Sequence, residues 1–362
     1  MTLIKLPSGT SGTDLKGHKL VLYAPRPTPP EAVAHLKAKF PGLEIAVYNK
    51  QFFDTDPYQD ISREEWKHVT ILVTGSMIPD PEAVPKLQYV QLFSAGANHV
   101  VNKPLFKETD VALCTANGVH GPQIAEWVIS TFLAHQHQIP RYLEQQREEK
   151  WSRADEEETE DAVGRTVGIL GYGSIGRQVA RVAKALGMNI HAFTNHPRDT
   201  PESRRDESYT PEGLGDPEGI FPSKWFSGDL HTFLSSGLDL LVISVPLTPK
   251  THHLLGRAEF QALAGRRTFV SNIARGPIIK TDDLIEALDA GTIRGAALDV
   301  TDPEPLPTGH PLWKAKNVII TPHASGASTA YYDRVLKILE LNLGRLSRGE
   351  ELTNKVDRKE GY

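Results

Sequence analysis

Arg275, Glu304 and His323 bring together a guanidinium, a carboxylate and an imidazole, each just past an apolar run and all downstream of Gly171-Tyr172-Gly173-Ser174-Ile175-Gly176. A planar guanidinium fork can hold a carboxylate through two parallel charge-assisted hydrogen bonds and polarise a neighbouring carbonyl. An imidazole, with an ordinary pKa of about 6.5, gives up or takes a proton near neutrality. A carboxylate beside it favours the charged ring and fixes its orientation. Beyond a dinucleotide-binding turn, the three suit hydride chemistry on a small 2-oxo acid, with Arg275 as the fork, His323 as general acid and base, and Glu304 as its partner.

Such residues need a frame, and the glycine turn supplies its anchor. The turn follows the apolar run 166–170 and opens a helix-compatible stretch, 174–186, which Gly187 can end as a left-handed cap. Gly171 permits the tight turn, Gly173 lets the backbone approach a pyrophosphate, and Gly176 allows close helix-on-strand packing. The amides of Ser174 and Ile175, at the positive end of the helix, then face the phosphates. Apolar runs recur at 188–193, 238–245, 267–273, 295–300 and 318–321, with helical patterns between most of them. Continuous apolar strands are expected where helices cover both faces of a parallel sheet. Six such strands fit a doubly wound sheet that binds ligands outside the strands' carboxyl ends, where Arg275, Asp299, Glu304 and His323 fall.

The motifs GYGSIG, SNIARGPIIKTDDLIEAL, ALDVTDPEPLPTGHPLW and NVIITPHASG, in this order, resemble the D-isomer-specific 2-hydroxyacid dehydrogenase family. The stretch TDPEPLPTGHPLW is most similar to its glyoxylate and hydroxypyruvate reductase branch. The match runs from about residue 93 to 325 and is weakest in the first seventy residues and in 197–228. The resemblance implies an NAD(P)-dependent D-2-hydroxyacid dehydrogenase or 2-oxoacid reductase, with the roles of Arg275, Glu304 and His323 as above. It also implies cofactor contacts from Val245, Pro246, Ile273, Ala274, Asp299 and His323, and a homodimer joined through the nucleotide domain. Some members of the family serve instead as dinucleotide-binding sensors or co-regulators; turnover separates the two readings. Formate oxidation would favour a glutamine in place of Glu304.

Cofactor choice turns on Thr194-Asn195-His196-Pro197-Arg198, about twenty residues past the glycines, where an NAD site usually offers an acidic residue to the ribose hydroxyls. Thr194 stands in that place. The missing carboxylate removes repulsion against a 2′-phosphate, and Asn195, His196 and Arg198 can donate hydrogen bonds or charge to it. NADP(H) is therefore the expected cofactor, with NAD(H) as the alternative.

The first hundred or so residues read as a second α/β unit, with strands at 19–23, 45–48, 69–73 and 89–93 and no second phosphate turn. After the last comes Ser94-Ala95-Gly96-Ala97-Asn98-His99, which resembles the family's substrate loop. Amides of Ala95, Gly96 and Ala97 could grip the substrate carboxylate opposite Arg275, although Asn98 stands where many members have aspartate. A long helix over 122–147 and another over 327–348 would carry the chain between domains. The expected architecture is α/β: two Rossmann-like or flavodoxin-like domains with parallel sheets and the active site in the cleft between them. The substrate domain is discontinuous, 1–120 and 327–362, and the dinucleotide domain is 121–326. The acidic run 155–161 reads as a solvated connection. The proline- and glycine-rich segment 197–228 is longer than a usual connection and reads as a flap over the adenosine end, a dimer arm or a surface insertion.

Composition narrows the class further. A chain of 362 residues with a formal charge of -5 implies about two domains and no general attraction to nucleic acid or anionic lipid. The start, MTLIKLPSGTSGTDLKGHK, lacks a signal peptide's apolar core, and no run is long enough to span a membrane. With Cys114 as the single cysteine no intramolecular disulfide can form, which suits the cytoplasm. His135-Gln136-His137 and His252-His253 lack further ligands, so no metal is expected.

Overall fold

The computed structural model describes residues 15–50, 54–153 and 159–358; the leader reading of residues 1–14 and the part of the acidic run at 155–158 lie outside them. The chain divides into two compact units, residues 1–119 with 329–362, and residues 120–328.

In the first unit five parallel strands, β1 (Lys19–Ala24), β2 (Glu44–Asn49), β3 (Ile71–Thr74), β4 (Tyr89–Leu92) and β5 (Ala112–Cys114), lie in the order β2-β1-β3-β4-β5. β3 and β4 are buried along their whole length, as apolar runs covered on both faces must be. The short β5 has no counterpart among the strands expected from the sequence. The helix Tyr331–Ser347 returns to this unit. Its buried Asn342 donates from Nδ2 to the Tyr89 hydroxyl (3.1 Å) and the Thr353 carbonyl (3.1 Å), and accepts from the Thr353 amide (2.8 Å). A buried amide satisfied at both ends ties the C-terminal return to the sheet.

In the second unit seven parallel strands follow: β6 (Thr166–Leu170), β7 (Asn189–Phe193), β8 (Lys224–Phe226), β9 (Leu240–Ile243), β10 (Phe269–Asn272), β11 (Gly295–Leu298) and β12 (Val318–Ile320). Their order is β12-β11-β10-β9-β6-β7-β8, so strand order reverses between β6 and β9. The six expected strands are present, and β8, inside the supposed insertion, is a seventh. Alternation sorts β9 between two cores: Leu240 and Val242 join Phe132, Val179 and Ile190, whereas Leu241 and Ile243 join Phe260, Leu284 and Leu288. Burying each such side chain contributes roughly 1.5–3 kcal/mol.

The long helix expected at 122–147 is two helices, Gly121–Gln136 and Ile139–Arg147. Pro140 cannot donate a backbone bond and its ring would clash with the carbonyl of Gln136. Gln138 therefore turns left-handed, φ +54°, and restarts the helix. Among the described residues no helix is long and apolar enough to cross a membrane.

Candidate active site

The glycine turn joins β6 to the helix Ser174–Ala185, which ends at Gly187 with φ +76°. Gly171 has φ +99°, and a Cβ there would lie 2.9 Å from the backbone of Ser244 and from Val245. A Cβ on Gly176 would lie 2.5 Å from the Gly171 carbonyl, so only glycine lets this helix sit on its strand. Above Gly173 a Cβ would meet nothing within 4 Å. Open space over a helix N-terminus is the kind of place that can receive an anion, and a side chain on residue 173 would enter it. Ser244, which the sequence did not single out, donates its hydroxyl to the Gly171 carbonyl (2.6 Å) and locks the turn to the end of β9. Val245 and Pro246 follow directly, with the Pro246 carbonyl held by the Thr251 hydroxyl (2.7 Å).

Arg275, Glu304 and His323 lie in the loops after β10, β11 and β12, three adjacent strands of one sheet. His323 Nδ1 and Glu304 Oε1 are 2.7 Å apart, and both side chains are partly open to solvent. Arg275 donates from NH1 to the Ala274 carbonyl (2.6 Å). Burial pushes its guanidinium pKa down, while the Glu304 charge acts in the opposite sense. The turn that presents Arg275 is shaped by Asn272, whose side chain accepts from the Ala274 amide (3.1 Å) and donates to the Arg275 carbonyl (3.0 Å). Ile273 and Ala274 are buried beneath it. Gly276 lies against the next loop: a Cβ there would be 1.8 Å from the Thr301 carbonyl oxygen. The Arg275 and Glu304 loops are therefore in backbone contact.

His323 itself has φ +53°, a conformation that L residues bearing side chains adopt at a cost of order 1 kcal/mol. Asp299, 2% exposed, holds it there. The Asp299 carbonyl accepts the His323 amide (2.8 Å). Its carboxylate accepts the Thr321 hydroxyl (2.5 Å), the Ala324 amide (2.7 Å), the Ser325 amide (3.0 Å) and the Ser325 hydroxyl. Expected from the sequence as a cofactor contact, Asp299 is placed as the anchor of the histidine loop. The only sequence signal for Thr321 and Ser325 as its partners is that two hydroxyl residues flank Pro322-His323-Ala324.

At the end of β7 the expected ribose contacts are engaged with one another and with their own backbone. Thr194 donates its hydroxyl to the His196 carbonyl (2.8 Å), Asn195 Nδ2 lies 3.2 Å from His196 Nε2, and Arg198 donates to the Ser203 carbonyl. Asn195 and His196 remain exposed. In the other unit, the loop after β4 has the Ser94 hydroxyl donating to the Gly96 carbonyl (2.7 Å), and the amides of Ala95, Gly96 and Ala97 have no partner among the described residues. The His135 ring lies tilted against Phe269, centroids 4.7 Å apart, and His252 lies tilted against His253 at 3.9 Å.

The profile of a family described as D-isomer specific 2-hydroxyacid dehydrogenase, NAD binding domain, matches residues 129–214 and 224–325, passing over 215–223. A glyoxylate reductase of Korarchaeum cryptofilum is 30% identical over 315 residues, 84% of this chain and 88% of that protein. Human glyoxylate reductase/hydroxypyruvate reductase is 34% identical over 191 residues, 53% of this chain and 52% of its own. Among solved structures, a D-isomer specific 2-hydroxyacid dehydrogenase from Xanthobacter autotrophicus Py2 in complex with NADPH and MES has a TM-score of 0.74 at 26% identity, covering 95% of this chain and 99% of that one. An NADPH-dependent glyoxylate/hydroxypyruvate reductase from Sinorhizobium meliloti, in complex with NADP and sulfate, has a TM-score of 0.72 at 26% identity, covering 95% and 100%. A turn open to a dinucleotide, a sheet that reverses beside it and a profile match running through both place the function: the chain is an NAD(P)-linked oxidoreductase and belongs to the D-isomer specific 2-hydroxyacid dehydrogenase family.

Proposed function

We propose that this chain reduces a small 2-oxo acid to the D-2-hydroxy acid, with NADP(H) preferred to NAD(H) and with glyoxylate and hydroxypyruvate as the leading substrates. The observation that carries the reading is the 2.7 Å pair of His323 and Glu304 in the loop next to a desolvated Arg275. When bound, the dinucleotide supplies the hydride or accepts it. Arg275 binds the substrate carboxylate through its fork, and partial burial strengthens that grip because the surroundings screen it less. His323 directs Nδ1 at Glu304, which leaves Nε2 to hand a proton to the carbonyl oxygen and to take it back in oxidation. The names of the glyoxylate reductases similar to this chain support a small acid. The absence of an acidic residue at Thr194 and the NADP or NADPH in two solved relatives support the cofactor.

The test follows nicotinamide absorbance with NADPH or NADH and each of glyoxylate, hydroxypyruvate, pyruvate and phenylpyruvate. Arg275→Ala is expected to lower kcat/KM at least about 100-fold, as loss of a charged bidentate contact should. Dinucleotide binding without turnover on any acid would transfer the chain to the sensor reading. A homodimer is part of the proposal: Ile139, Tyr142, Leu143 and Trp151, the last fully exposed, leave apolar surface on and after one helix. Light scattering after gel filtration is expected to give twice the chain mass, and a monomer at micromolar concentration sinks that part.

A further inference from the structure

The segment between β7 and β8 is built onto the helix that opens at the glycine turn. Tyr172, between the first two glycines, donates its hydroxyl to the Asp216 carboxylate (2.7 Å). Arg177, 4% exposed, donates to the carbonyls of Asp216 (2.5 Å) and Arg204 (2.7 Å) and pairs through Nε with Asp206 (3.2 Å). Gln178 accepts the Gly215 amide and Arg181 donates to the Gly215 carbonyl, both at 2.7 Å. Asp216 also accepts the amides of Ile220 and Phe221, each at 3.0 Å. Four side chains on or beside the first turns of one helix thus hold a segment that includes the stretch, 215–223, passed over by the family profile.

The contacts then continue to the place where cofactors are told apart. Arg204, fixed at its own carbonyl by Arg177, donates from Nε to the Arg198 carbonyl (2.9 Å) and from NH2 towards the Asp199 carbonyl (3.4 Å). Its guanidinium lies over Trp225, 5.8 Å from the ring centroid, and Trp225 meets Tyr172 edge-on at 5.0 Å. One planar cation therefore spans two successive carbonyls of the loop that leaves β7, which an ammonium or an amide cannot do in the same geometry.

We propose that Arg204, held by Arg177, is a positioning residue that fixes loop 195–199 in the shape that receives the 2′-phosphate of the dinucleotide. The segment between β7 and β8 is thereby a cofactor-selection element coupled to the phosphate turn, not a loose flap. This rests on the NADP(H) reading above. A loop ordered before binding loses less entropy when the phosphate arrives, so its disordering shows as weaker binding and not as slower chemistry.

The experiment titrates the full chain with 2′,5′-ADP and, separately, 5′-AMP by calorimetry, and measures kcat and KM for NADPH, in wild type, Arg204→Gln and Arg204→Lys. Both variants are expected to weaken 2′,5′-ADP by about tenfold or more and to raise the KM for NADPH similarly, with 5′-AMP affinity within about threefold and kcat within about twofold of wild type. Wild-type affinity for 2′,5′-ADP in Arg204→Gln overturns the proposal. Full restoration by Arg204→Lys also overturns it, because charge alone would then suffice. Arg177→Gln is expected to reproduce the Arg204 pattern; because Arg177 is buried and its loss can disturb the fold, the half-buried Arg204 decides the outcome. Should wild type bind 5′-AMP as tightly as 2′,5′-ADP, the NADP(H) reading fails. Arg204 is then judged on 5′-AMP, a tenfold loss in Arg204→Gln keeping its positioning role and no loss ending it.

Discussion

His323 is chemistry carried on a backbone held against its preference, and this decides how the residue should be tested. At φ +53° alanine is a poor replacement, whereas asparagine, like histidine, is one of the residues that visit the left-handed region more readily. His323→Asn is expected to keep its thermal midpoint within a few degrees while kcat falls about 100- to 10,000-fold, the usual worth of a positioned acid. His323→Ala should lose as much activity; near-normal turnover in either variant removes His323 from the reaction. The types of Arg275, Glu304 and His323 could be read in the sequence because few side chains grip a carboxylate or exchange a proton near neutrality. The anchoring role of Asp299 could not, since its hydrogen bonds to residues 321–325 exist only once two loops meet; the Asn272 side chain bonds within its own turn, to Ala274 and Arg275, a local signal that asparagine commonly gives.

At the scale of elements, Gly276 is the position where two loops share one space. Gly276→Ala puts a Cβ 1.8 Å from the Thr301 oxygen, so one of the two backbones must move. We expect destabilisation of about 3 kcal/mol, seen in urea unfolding, from overpacking against rigid backbone. A shift of about 1 Å between the Arg275 and Glu304 loops should also lower kcat/KM about 100-fold; a variant of wild-type stability and rate would show that the contact gives way freely. Elements were readable where the apolar run was long, as in 238–245 and 267–273. Length alone does not decide this: β5, β8 and β12 are three residues each, yet Val318-Ile319-Ile320 was readable because it is all β-branched, whereas β8 opens on Lys224 and follows a stretch rich in proline and glycine that reads as loop. The break at Gln138 was legible in principle, because Pro140 forbids a continuous helix, but the apolar pattern on either side runs straight through it.

For the whole molecule, the second unit carries an acid-sensitive joint far from the candidate active site in sequence. Burial, assisted by Arg294, pushes the His135 imidazole down to about 4, with Glu160 opposing. Since the folded group resists a proton that the unfolded chain takes up near 6.5, stability is full above that pH and declines as pH falls from about 6.5 towards 4. His135→Phe, which keeps an aromatic ring against Phe269, is expected to remove a loss of about 2–3 kcal/mol between pH 7 and pH 4.5; identical acid slopes in urea unfolding would exclude the joint. The parallel architecture and the family were legible in the sequence because apolar runs and glycine turns are local signals. The strand order was not, since it depends on which strands pair. A last consequence follows from the path of the chain through its two units. Residues 120–328 are contiguous, whereas residues 1–119 share a unit with 329–362, where Asn342 reaches Tyr89. Residues 19–114 are therefore synthesised before the helix that brings Asn342 to Tyr89, and that contact forms only after residues 120–328 have been made.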